Sequence, residues 1–93
     1  MIVHIPLAGR PELLESDNFR QLMVLGDPTP HHALGRPDGA HVYLDPEELK
    51  RLAGADASDP DWQQRFTEMV AFAAASGWVD ENGYVRAHVK PLT

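Results

Sequence analysis

The chain has 93 residues, a net charge of −6, a hydrophobic fraction of 43% and a charged fraction of 24%. This length accommodates one domain, residues 1–93, with one hydrophobic core, and the composition excludes wholesale disorder. The absence of cysteine excludes a disulfide framework, a thiolate metal site and a cysteine nucleophile. The acidic balance disfavours nucleic acid and anionic lipid as partners, and it favours a protein partner with a basic surface.

The N-terminal run from Ile2 to Leu7 alternates weakly and predicts a strand. Pro6 cannot donate to a sheet, so this strand is expected to lie at an edge or to end there. The run is too short for a signal peptide or a membrane span, which makes the cytoplasm the expected compartment and argues against a membrane partner. Six arginines against two lysines is a bias typical of a bacterial coding sequence of high GC content.

The next two segments have less distinct patterns. Pro11 can open a short helix that extends to Glu15, or a single turn of 3₁₀ helix. Residues 19–25 fit either a helix or a strand. We favour the strand, because Val24 is β-branched and the following Gly-Asp-Pro stops the run abruptly.

Residues 26–40 form a predicted loop rich in Pro and Gly, with His31 and His32 at its middle. Loops of this length in a compact domain are usually functional or disordered. Pro37-Asp38-Gly39 fits a turn that leads into a strand over residues 40–44.

Two helices have clear start signals. For the first, Asp45 is the expected cap, Pro46 takes the first helical position, Glu48 completes a capping box and Gly54 ends the helix. A polar linker over residues 56–59 leads to the second. The second helix is expected to start at Asp59-Pro60, to end at Gly77 and to bury an apolar stripe together with Trp78; the stripe consists of Trp62, Phe66, Met69, Val70 and Ala73.

A β-hairpin is predicted after this helix, with Trp78-Val79 paired to residues 84–89 through a tight Asn82-Gly83 turn. Alternation places Val85, Ala87 and Val89 on one face and Tyr84, Arg86 and His88 on the other. The expected fold is therefore a small single α+β domain. Its short antiparallel or mixed sheet would pack on two to three helices, and the chain would end in a helix followed by a β-hairpin.

Histidines are the first candidates for chemistry. His31, His32 and His41 could hold a divalent metal such as zinc if the loop folds over the strands. No pair has a recognised ligand spacing, and adjacent histidines on a strand point in opposite directions. We therefore favour structural or solvated histidines and expect no cofactor.

Catalytic motifs give no support for an enzyme. The serines lie at predicted helix ends or on a solvent face, and no G-x-S-x-G elbow surrounds them. Paired carboxylates, such as those at Glu47 and Glu48, are explained by helix starts. The glycines of the loop do not form a G-x-x-x-x-G-K-[ST] phosphate loop.

The second helix and its Asn-Gly ribbon resemble the recognition helix and wing of winged-helix DNA-binding domains. The resemblance implies a regulator. However, the proposed recognition helix offers only Arg65 against Asp59, Asp61 and Glu68, whereas groove binding requires several cationic side chains. We therefore expect no nucleic acid partner.

A protein-binding surface is the preferred interpretation. Tyr84, Arg86 and His88 are of residue types found at interfaces, and His31 and His32 could present a second patch. The alternative is that Tyr84 merely covers the helix and that the loop is idle. The sequence thus favours a non-enzymatic accessory, regulatory or inhibitory protein that docks on a larger partner, and burial of a sheet edge would allow a homodimer.

Overall fold

The structure is a computed structural model that describes residues 1–92. In chain order the strands are β1 (Ile2–His4), β2 (Glu12–Leu14), β3 (Met23–Leu25), β4 (Gly35–Asp38), β5 (His41–Leu44) and β6 (Val85–Lys90). The α-helices are α1 (Pro46–Ala53) and α2 (Pro60–Ala75), and two 3₁₀ helices span His32–Leu34 and Gly54–Ser58.

The six strands form one mixed sheet in the order β2-β1-β3-β6-β5-β4. Strands β1, β3 and β6 run parallel to one another, and the pairs β1–β2, β5–β6 and β4–β5 are antiparallel. The last strand in the sequence is therefore an interior strand, with β3 on one side and β5 on the other.

The α+β class is confirmed, but the short sheet predicted from the sequence is wrong. Residues 12–14 form the edge strand β2 in place of the predicted short helix, and the predicted loop 26–40 contains the other edge strand, β4. Strands of three or four residues are too short to show a period of two. They exist because β1 and β5 offer them a hydrogen-bonding partner.

The predicted terminal β-hairpin is present only in part. Val79 makes an isolated antiparallel bridge to Val85, and the Arg86 N–H donates to the Trp78 carbonyl at 2.8 Å. The main partners of β6 are instead β5, along residues 85–88, and β3, along residues 88–90. Gly83 has a positive φ of 81°, but Asn82 does not, so the two-residue turn expected for Asn-Gly is absent. Pairing on both sides satisfies more backbone groups of β6 than a two-stranded ribbon would. The ribbon on which the winged-helix resemblance depends is therefore reduced to this one bridge.

The helix starts follow the sequence signals closely. The Asp45 carboxylate accepts the Glu47 N–H at 3.0 Å, and the Asp59 carboxylate accepts the Asp61 N–H at 3.0 Å. The predicted capping box is wrong, because the Glu48 side chain binds Arg51 instead of the cap. The predicted polar linker 56–59 is mostly 3₁₀ helix. Within residues 1–92, no helix is long and apolar enough to cross a membrane.

The core lies between the helices and one face of the sheet. Trp62 stacks on Phe66 with ring centroids 4.9 Å apart, and its indole N–H donates to the Ser16 carbonyl. Trp78, predicted to be buried, is 40% exposed and lies outside this core. Both helices contribute to a single cluster, which contains Val3, Val24, Val42, Leu44, Leu49, Trp62, Phe66 and Ala87.

Candidate functional site

The second face of the sheet is not covered by either helix. We call it the open face. Side chains alternate along each strand. Val3, Val24, Val42 and Ala87 point into the core, so the residues that precede and follow each of them in the sequence point to the open face. Its residues on the four inner strands are Ile2, His4, Met23, Leu25, His41, Tyr43, Arg86, His88 and Lys90, and the edge strands add Glu12, Leu14, Arg36 and Asp38.

An apolar strip crosses the open face on the parallel strands. Ile2 is in register with Met23, and Leu25 lies two residues further along β3. All three are half-buried, and none packs against the core cluster. Parallel strands are usually covered on both faces, so an apolar strip here indicates a face that lacks a covering layer within residues 1–92.

Polar and aromatic side chains continue the same surface on β5 and β6. His88 is in register with His41, and their ring centroids lie 5.6 Å apart in an edge-on arrangement. Two residues further along these strands, Arg86 is in register with Tyr43. The Arg36 guanidinium from β4 lies 4.5 Å above the Tyr43 ring. Aromatic and arginine side chains are thus placed beside the apolar strip.

Tyr84, Arg86 and His88 were the predicted interface residues of the ribbon, and the sheet places two of them on the open face. Arg86 and His88 are both exposed on the open face, as their alternation in the sequence indicated. Tyr84 precedes β6 and is half-buried, and its N–H donates to the Asp80 carboxylate at 2.9 Å. Its backbone therefore has a structural role in the turn before the strand.

The loop histidines are not joined to this surface. His32 is exposed in the first 3₁₀ helix, and His31 caps that helix without a side-chain hydrogen bond. His41 lies on β5 beside His88. Among residues 1–92 no group of three His, Cys, Asp or Glu side chains is arranged to hold a metal ion, so His31, His32 and His41 are not assembled into the hypothesised set.

Asp80 connects the turn before β6 to the edge strand β4. Its carboxylate accepts N–H groups of Asn82 and Tyr84, both at 2.9 Å, and pairs with the Arg36 guanidinium at 3.2 Å. Desolvation raises the pKa of Asp80, but the hydrogen bonds from Tyr84, Arg36 and Asn82 together outweigh it and lower that pKa below its usual value. The ion pair thereby holds Arg36 in place over Tyr43.

Charge is unevenly distributed over the molecule. A groove on the helical side, which we call the acidic groove, has a volume of about 440 Å³. It contains one cation, Arg65, which lies 4.0 Å from Asp61. The open face, by contrast, carries Arg36, Arg86 and Lys90 against the carboxylates of Glu12 and Asp38. Of these cations, Arg86 and Lys90 form no ion pair with any of residues 1–92. The carboxylates that line the acidic groove are Glu15, Asp17, Asp56, Asp59 and Asp61.

An apolar depression of about 470 Å³ lies where the parallel strands end. Pro28, Pro37 and Val89 contribute to its walls, and Asp27 and His41 are among its few polar groups. The Thr29 N–H donates to the Asp27 carboxylate at 2.9 Å and lowers the pKa of that carboxyl. A lowered pKa keeps the Asp27 carboxyl ionised at neutral pH, so it has no proton to donate as a general acid there.

Two exposed aromatic residues lie next to Arg86; the sequence reasoning missed Phe72 and expected Trp78 to be buried. Phe72 is 66% exposed and Trp78 is 40% exposed. Phe72 falls outside the spacing of the buried stripe on α2, and a large apolar residue off that stripe was the available signal.

Comparisons of the chain with protein-family models, with curated proteins and with solved structures find no match. The chemistry of these surfaces is therefore the basis for assigning a function.

Proposed function

We propose that this protein is a non-enzymatic interaction domain that docks on a larger protein through the open face of its sheet. The observation that carries the proposal is the apolar strip of Ile2, Met23 and Leu25 on parallel strands that have no second layer within residues 1–92. A partner surface laid on this strip would supply the missing layer and remove the apolar groups from water.

The border of the strip supplies groups that make an interface specific. Tyr43 and Arg86 are of the residue types that dominate interface energetics. The guanidinium of Arg86 and the ammonium of Lys90 are available for carboxylates, because neither pairs with a carboxylate of residues 1–92. The docked surface is therefore apolar at its centre and acidic at its border, whereas the net charge of −6 alone had favoured a basic partner.

Hydrogen bonds account for the lowered pKa values of three carboxyl groups. The pKa values of Asp27, Glu48 and Asp80 lie below their usual range, because these bonds stabilise the charged form. An accessory subunit and an inhibitor would use the same docking face, so both remain within the proposal.

A matched pair of charge substitutions tests the docking face. We expect His88→Glu to weaken capture of the partner from a lysate of the source organism by at least about tenfold. The substitution places a negative charge on the open face, opposite the acidic border of the partner surface. His32→Glu makes the same change at an exposed site away from the sheet and should capture as the wild type does.

Quantitative mass spectrometry of the captured proteins provides the measurement, with circular dichroism to verify that both variants are folded. Equal capture by the two variants would exclude the open face as the docking site, and capture of no partner by the wild type would contradict the proposed function itself.

A further inference from the structure

A small groove lies where the last turns of α2 meet the start of β6, beside the open face. We call it the aromatic groove. It has a volume of about 130 Å³, below the roughly 300–1,000 Å³ of small-molecule pockets, so it fits a single side chain better than a free ligand. Its walls include Phe19, Leu22, Met69, Phe72, Trp78 and Arg86.

Phe72 and Trp78 form the rim of this groove. Both rings are exposed, and neither belongs to the core cluster. Phe72 is 66% exposed and meets Trp78 edge-on, with ring centroids 6.0 Å apart. The Trp78 N–H donates to the Ala73 carbonyl, and the Trp78 carbonyl accepts the Arg86 N–H at 2.8 Å. The tryptophan backbone is thus fixed on both sides, which holds the apolar rim ready for a ligand.

The charged groups of the groove are cationic. Arg20 and Arg86 both contribute to its lining, and the Arg86 guanidinium lies 5.9 Å from the centre of the Trp78 ring. Neither arginine pairs with a carboxylate of residues 1–92, whereas Arg36, Arg51 and Arg65 each do. A negatively charged ligand would therefore complement the groove.

We infer that the aromatic groove binds an acidic segment of the partner protein, with one aromatic or long aliphatic side chain seated in the groove against the paired rings of Phe72 and Trp78. Carboxylates on either side of that anchor pair with Arg20 and Arg86. This inference rests on the proposed function and adds to it the chemistry of one contact, because Arg86 belongs to both the open face and the groove.

Random dodecapeptides displayed on phage are the probe. Selection on the wild-type protein is expected to enrich Asp and Glu around a Trp, Phe or Leu. Synthetic peptides from the enriched set should bind at least about tenfold more weakly to Phe72→Ser and to Arg20→Glu. The control is Arg10→Glu, which makes the same charge reversal at an exposed position that does not line the groove and should leave peptide affinity unchanged.

Three results would overturn the inference: selection of sequences that are not acidic, peptide affinity that is the same in Phe72→Ser, or a concentration-dependent dimer that Phe72→Ser abolishes. The last result would assign the groove to a second copy of this chain. Phe72 and Arg20 are both exposed, and circular dichroism verifies that each variant is folded. Failure of the proposed function is seen separately, in partner capture by His88→Glu.

Discussion

Gly35 occupies a position at which no other residue fits. It has a φ of 149°, and a Cβ built there would lie 1.9 Å from the Tyr43 carbonyl oxygen. A side chain would therefore force apart β4 and β5, which pair at this point, and would disturb Tyr43 on the open face. Gly39 differs, since it has a φ of 61° but no atom lies within 4 Å of its hypothetical Cβ.

Alanine substitutions at these two glycines test the difference between them. Gly35→Ala combines backbone strain with a clash against backbone and should lower the free energy of unfolding by at least about 3 kcal/mol. Gly39→Ala carries only the strain of the left-handed conformation and should cost about 1–2 kcal/mol. Urea denaturation of both variants measures the difference. Equal costs would show that β4 does not approach β5 as closely as described.

At the scale of elements, the sequence predicted the parts that depend on local chemistry. Asp45-Pro46 and Asp59-Pro60 mark the helix starts, and the alternation after Tyr84 places Arg86 and His88 on one face of β6. Strand pairing could not be predicted, because it depends on residues far apart in the sequence. The partners of β6 are β3 and β5, separated from it by two helices, and only this pairing joins His41 and Tyr43 to the predicted site.

Asp80 gives a prediction for the element that leads into β6. Its pKa is lowered in the folded state, so its contribution to stability is present above the pKa of an unfolded aspartate, about 4, and is lost as the pH falls below that value. Asp80→Asn removes this contribution. The variant should be less stable than the wild type at pH 7, and the difference should shrink toward pH 3.

Asp38→Asn is the control for this pH dependence. Asp38 is an exposed carboxylate on the same edge strand as Arg36, and it forms neither an ion pair nor a side-chain hydrogen bond within residues 1–92. Thermal denaturation across this pH range compares the three proteins. A pH-independent difference between Asp80→Asn and the wild type would contradict the role given to the carboxylate.

At the scale of the whole molecule, the sheet separates two surfaces of different chemistry. The acidic groove lies on the helical side, and the open face carries the apolar strip together with Arg86 and Lys90. The net charge of −6 is the sum over the whole chain and describes neither surface. This is why composition alone pointed to a basic partner, and why the order of the strands was needed to locate the cationic border.

Histidine modification provides the most direct test of the open face, because the five histidines divide between surfaces. His4, His41 and His88 lie on the open face, whereas His31 and His32 lie at the first 3₁₀ helix. We would label the free protein and the captured complex with diethyl pyrocarbonate and measure the modification of each histidine by mass spectrometry. The account predicts that binding protects His41 and His88 and leaves His32 reactive. Protection of His32 with unchanged labelling of His88 would contradict it.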